Sequence, residues 1–254
     1  MPTAFPIEIA VQDAAGVGIA LEGGAARVEV CQALALGGLT PSAGLIEAAA
    51  EAADAHGASG FVHVLVRPRG GGFVYDADEV AATVRDIRLA ARLGADGVVV
   101  GALTDASTLD LEAITAFIDA AGDLDVTVHR AVDASADPVA SVTALAAFTG
   151  AGSRGVRRVL TSGGAPDCRS GLAGIAAMRA AVGDALELMS GGGVRVEDIA
   201  LLVGAGVDAV HLSARTSVVR GKGGPGGGVD AFDATDASLV RAAVDAARSA
   251  AASR

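Results

Sequence analysis

The chain has 254 residues, 52% of them hydrophobic, and a formal net charge of −11. That is enough apolar material for two small domains or one α/β barrel. The acidic balance, aromatics at 3% and absence of Trp argue against a nucleic-acid partner, since phosphate contacts need clustered Lys/Arg and single-strand binding needs stacking rings. No charge-poor run approaches the roughly 20 residues of a membrane span, and no basic segment leads into an apolar one at the start, so a cytoplasmic protein without a membrane partner is expected.

Eight β-branched runs follow in order: IEIAV (7–11), RVEVC (27–31), FVHVLVR (61–67), GVVVGAL (97–103), DVTVHRA (125–131), RRVLTS (157–162), LELMS (186–190) and AVHLSA (209–214). Each is followed by Gly, Thr or Pro punctuation and an Ala/Leu-rich amphipathic stretch. Strands alternating with helices at this spacing predict βαβ units and a parallel sheet. Eight units in about 250 residues is the size of a single (β/α)8 TIM barrel. A doubly wound sheet also alternates, but no GxGxxG follows the first strand. After the eighth run, a Gly-rich loop near 221–228 is expected to lead to a last helix near 235–250.

A barrel strand buries both faces, so ionisable residues within it must face the lumen or its mouth. The period of two sorts them: Glu8; Glu29 and Cys31; His63 and Arg67; His129; Glu187; His211 and Arg215. Buried charges are costly unless paired, so a network of Glu with His and Arg is predicted. Glycine-rich strand ends, including Gly192 and Gly193 of SGGGV, let backbone amides approach an anion. Arg67, Arg69, Arg130 and Arg215 add fork-shaped donors for phosphate or carboxylate.

The segments EVC, GGLTPSAG, VRPRGGGFVY, DIRLAARLGADGVVVGALT, VHRAVD, RVLTSGGAP, GGGVR and HLSAR, in this order from about Glu8 to Arg215, resemble the copper homeostasis protein CutC family. The resemblance implies a TIM barrel, a cytoplasmic homo-oligomer and a role in copper handling through Cu(I), with Cys31 as the candidate metal ligand. Cu(I) selects thiolate and thioether donors held together. Here Cys168 follows the sixth run, Met178 falls in a helical pattern, and Met189 is assigned the face of the seventh run opposite Glu187. Copper would then need a histidine beside Cys31, or Cys31 from two subunits. Cys168 is read as an incidental surface residue, and a structural disulfide is not expected.

A second reading comes from the residues themselves: a barrel enzyme acting on a small anionic metabolite at the C-terminal mouth. His129 would be the general acid/base, oriented by Glu29 or Glu187, with His63 or His211 as a second proton-transfer group. Arg67, Arg69, Arg130, Thr161, Gly192, Gly193 and Arg215 would hold the anion, and Asp133 would organise the loop after the fifth strand. A sensor that binds the same anion without turning it over uses the same residues, so sequence leaves both open.

Overall fold

The computed structural model describes residues 5–149, 155–221 and 230–253. Strands β1 (Ile7–Val11), β2 (Arg27–Val30), β3 (Val62–Leu65), β4 (Gly97–Val100), β5 (Asp125–Val128), β6 (Val156–Thr161), β7 (Glu187–Ser190) and β8 (Ala209–Leu212) run parallel and close into a barrel, β8 pairing back onto β1. Helices α1 (Ala14–Gly23), α2 (Ala43–Ala55), α3 (Ala77–Arg92), α4 (Leu111–Ala121), α5 (Pro138–Ala146), α6 (Leu172–Val182) and α7 (Ile199–Gly204) follow the first seven strands, and α8 (Ala237–Ala252) ends the wrap. The chain folds as a TIM barrel, and the doubly wound alternative falls away.

Local chemistry sets the helix starts. Asp13, Ser42, Asp76, Asp110, Asp137 and Asp236 each accept a hydrogen bond from a first-turn amide. These short polar side chains satisfy donors that a helix N-terminus otherwise leaves unpaired. Asp76 and Glu79 complete a capping box at α3. Among the described residues no helix is long and apolar enough to cross a membrane.

The period of two divides the barrel into two interiors. Ile9, Val28, Val64, Val98 and Val126 belong to one large apolar core with helix residues such as Ile46, Ile87, Phe117 and Ile175. Inside the lumen the apolar contribution shrinks to two small clusters, Ala10, Cys31, Leu65 and Val99 on one side and Leu160, Met189 and Ala209 on the other. Charged groups take the remaining space. Two glycines make room for them: a Cβ at Gly101 would stand 2.6 Å from ring atoms of His129, and one at Gly97 would strike the His63 ring.

Within the strands, the structure departs from the sequence expectations at the end of β8 and at Met189. β8 stops at Leu212; Ala214, with φ +40, turns the chain, and Arg215 opens a separate strand, β9 (Arg215–Val219). β9 pairs antiparallel with β10 (Ala231–Thr235), where the sequence predicts only the approach to the last helix. Two five-residue strands flanking a Gly-rich stretch give too short an alternation to be seen. Most of the loop expected near 221–228 lies outside the described residues, which omit 222–229. Met189 shares the lumen with Glu187, as residues two apart on a strand must, and its Sδ lies 3.3 Å from Arg27 Nη2.

Candidate functional site

A cavity of about 360 Å³ opens at the C-terminal ends of the strands. Glu29 and His211 rise into it from β2 and β8, Arg67 from just beyond β3, His129 and Arg130 from just beyond β5, Gly192 and Gly193 from the loop after β7, and Arg215 from β9. Leu34, Leu65, Phe73, Leu160, Val194 and Leu212 supply apolar wall. The volume suits a small organic molecule, and the mix of apolar wall with convergent polar groups is typical of such sites.

Below the cavity lies a charged relay. Glu8 is wholly buried and accepts from Arg27 Nε at 2.6 Å and from His211 Nδ1 at 2.8 Å. The far nitrogen of His211, Nε2, stands 3.9 Å from Glu29. Burial alone would raise the Glu8 pKa, but Arg27 and His211 outweigh it and hold the carboxyl well below the usual range. Glu29 has no such partner; burial pushes its pKa up to about 7, with His211 pulling the other way and the smaller Glu8 repulsion adding to the rise. Burial also opposes charge on His211, yet Glu29 and Glu8 together raise its pKa. Two carboxylates flanking one imidazole are thereby driven apart, Glu8 downward and Glu29 upward.

His129 is built differently. Its Nδ1 accepts the Ala131 N–H at 3.2 Å, which places the ring proton on Nε2. Nε2 is buried and has no partner among the described residues. Burial, then the neighbouring Arg67 charge, lower the ring pKa to about 3. Phe73 packs on the imidazole at 4.9 Å between centroids, and the Arg67 guanidinium lies 5.0 Å over the same phenyl ring.

Arg67 is 7% exposed. Its Nη1 donates to the Leu36 and Gly38 carbonyls at 3.0 and 3.1 Å, and Nη2 donates to the Gly71 carbonyl at 2.6 Å. Its Nε has no partner, and among the described residues no carboxylate lies within ion-pair distance of it. The other two cavity arginines are neutralised: Arg130 by Asp133 at 3.0 Å and Arg215 by Asp233 at 2.8 Å. Gly192 and Gly193 adopt φ of +99 and +65, and neither amide donates to an acceptor among the described residues. A Cβ at Gly192 would also meet the Arg130 guanidinium at 2.9 Å.

Several predicted site residues lie elsewhere. His63 is sealed in the lumen beneath the cavity, with burial lowering its pKa to about 4 despite the Glu8 charge. Glu187 is at the opposite, N-terminal end of the barrel, bound to Arg158 at 2.7 Å and Arg157 at 3.2 Å, and orients no histidine. Neither does Glu29 orient His129, whose bond is to backbone. Arg69 is exposed and spent on Glu79 and Tyr75. Thr161 is buried and donates to Asp133 at 2.5 Å, while Asp133 also accepts from Ser162, Gly164 and Arg130, tying down the loop after β6.

Cys31 does not reach the cavity. It is 0% exposed beneath Leu34 and Leu65, and its Sγ donates weakly to the Val11 carbonyl at 3.6 Å. Burial, with Glu29 adding to it, pushes the thiol pKa up, away from the thiolate that a metal needs. None of its apolar neighbours carries a sulfur, and among the described residues no three His, Cys, Asp or Glu side chains gather to hold a metal ion. This donor set does not fit Cu(I), and a thiol at this depth cannot meet its copy in another subunit. Cys168, expected at the surface, is wholly buried, with burial first and then Asp198 and Asp167 raising its pKa.

Residues 5–216 match the CutC family model. The chain belongs to the CutC family. A CutC family protein of Xanthomonas campestris pv. campestris is 41% identical over 213 residues, covering 84% of each chain, and one from Xylella fastidiosa is 38% identical over 249 residues, covering 95% of this chain and 88% of that one. A solved CutC structure from Streptococcus agalactiae, whose name refers to copper homeostasis, superimposes with a TM-score of 0.75 at 30% identity, covering 82% of this chain and 98% of its own. The span matched by the CutC family model ends at Thr216, so it takes in every cavity residue named above, with Arg215 at its edge.

Proposed function

We propose that this CutC family member binds a small organic anion, a carboxylate or a phosphate, at the C-terminal mouth of its barrel. The observation that carries the reading is Arg67: a buried guanidinium on the cavity wall, hydrogen-bonded to neutral carbonyls and stacked on Phe73, with no carboxylate partner and with Nε unpaired among the described residues. An unneutralised buried charge is costly, and a ligand anion removes the cost. The unpaired amides of Gly192 and Gly193 offer further donors, in the loop that TIM barrels commonly turn toward phosphate. A part in copper homeostasis would then run through this ligand rather than through Cys31.

A cytoplasmic setting and a homo-oligomer complete the proposal. Two free cysteines support the first, and Val219 and Phe232, 68% and 46% exposed on the β9/β10 ribbon, support the second. Calorimetric titration of the native chain, R67Q and R69Q with inorganic phosphate and with malonate tests the binding site. The native chain and R69Q should bind at least one of the two anions, and R67Q should bind roughly tenfold or more weakly, the worth of one charge-assisted hydrogen bond. Equal affinity of R67Q and the native chain would refute the assignment.

A further inference from the structure

We infer that the cavity is catalytic and moves a proton at a carbon next to a carbonyl of its anionic ligand, with Glu29 as the base and the His129 Nε2–H as the donor that holds the carbonyl oxygen. The inference rests on the anion reading above, because Arg67 is what would hold the substrate in place.

His129 fits the role of a neutral hydrogen-bond donor. The Ala131 amide fixes its tautomer, and Gly101 leaves the ring its space. A buried donor without a partner is costly to the fold. The ring lines the cavity, and its Nε2–H, sealed from water and without a partner among the described residues, is the donor it has left to turn to a ligand. A neutral imidazole is also the better electrophilic partner, since it cannot protonate the enolate outright, and burial with Arg67 nearby keeps this one neutral.

Glu29 supplies the complement. Its carboxylate shares the cavity wall, has no hydrogen-bond partner among the described residues and stands 3.9 Å from the His211 imidazole, which Glu8 holds from behind. In the step, the C–H bond breaks and its proton passes to a Glu29 oxygen. The bonding pair moves into the C–C bond as the carbonyl π pair shifts to oxygen, giving an enolate hydrogen-bonded to His129 Nε2. Return of the proton to the same or the neighbouring carbon regenerates Glu29. No oxidant, metal or second substrate is consumed, and a base near neutrality suits the task.

Deuterium incorporation from D2O, read by proton NMR, tests this with two probes: dihydroxyacetone phosphate for a phosphate handle and pyruvate for a carboxylate handle. The native chain should exchange the carbon-bound protons of at least one probe above a protein-free control. E29Q and H129Q should each lose roughly 100-fold or more of that exchange while still binding phosphate or malonate. E29D, which keeps the carboxyl on a shorter arm, should retain part of it. No exchange in either arm, with anion binding intact, would overturn the inference and leave the binding site standing. Exchange undiminished in E29Q would overturn it as well, and loss of anion binding in the native chain would bring down the reading beneath it.

Discussion

Glu8 and His211 face each other across the seam where β1 meets β8, and the Glu8 carboxylate accepts the His211 Nδ1–H at 2.8 Å. The strand pairing that closes the barrel therefore also positions an imidazole on the cavity wall. Because Glu8 also holds Arg27, removing its charge leaves a buried guanidinium without an ion partner. E8Q should lose about 3–5 kcal/mol of stability by urea unfolding, the usual cost of breaking a buried pair from one side. A loss below about 1 kcal/mol would mean the relay contributes little to holding the barrel.

The pH dependence of stability separates Glu29 from the histidines. Glu29 titrates near 7 in the fold and near 4.5 unfolded, so between those values the folded chain keeps a proton that the unfolded chain has released, and stability falls as pH rises. His63 and His129 act in the opposite sense. Their folded values of about 4 and 3 lie below the unfolded 6.5, so stability falls as pH drops through and below 6.5. E29Q removes the Glu29 effect and lessens the upward pull on His211, while His63 and His129 keep theirs. Urea unfolding at several pH values should show E29Q gaining on the native chain by about 2–3 kcal/mol from pH 4.5 to 7, because each pH unit between the two titration points is worth about 1.4 kcal/mol. A pH-independent difference would show that Glu29 titrates normally.

Gly101 is required for space. In G101A the new methyl would lie 2.6 Å from the His129 ring and 3.1 Å from the Ala131 Cβ. Relieving that overlap should cost about 1–3 kcal/mol and turn the ring off the Ala131 amide. Long-range nitrogen–proton NMR of the histidines should show the His129 Nε2–H tautomer in the native chain and its disturbance in G101A. An unchanged spectrum would mean the tautomer is held by something other than this contact.

Cys31 should behave as a buried apolar residue. A disulfide-exchange reagent should label it in the native chain only through unfolding, and C31S should keep the native affinity for phosphate or malonate. Stoichiometric Cu(I) uptake in a chelator competition, lost in C31S, would contradict this placement.

Much of the fold is legible in the chain, because each barrel strand is a short β-branched run and the period of two assigns its faces. Glu8, Glu29, His63 and His211 fall in the lumen as that rule requires. The rule fixes a face and says nothing of depth. Cys31 has the parity of Glu29, yet Leu34 from the following loop and Leu65 from β3 close over it. Glu187 and His129 share the lumen at opposite ends. Arg158 faces inward because the register shifts between Val126 and Thr127, leaving Arg157 as the extra, outward residue on β6. Phe73, which links Arg67 to His129, sits in a Gly-rich loop with no periodic signal. Arg69 lies two residues from Arg67 and cannot be told from it without knowing that Glu79 waits at the start of α3.

The most direct test of anion binding at the mouth is a crystal structure of the native chain grown with malonate or phosphate. Density for the anion within hydrogen-bond distance of Arg67 or of the Gly192 and Gly193 amides is the predicted result. A cavity holding only water at saturating anion, with Arg67 paired to a carboxylate of its own chain, would contradict it.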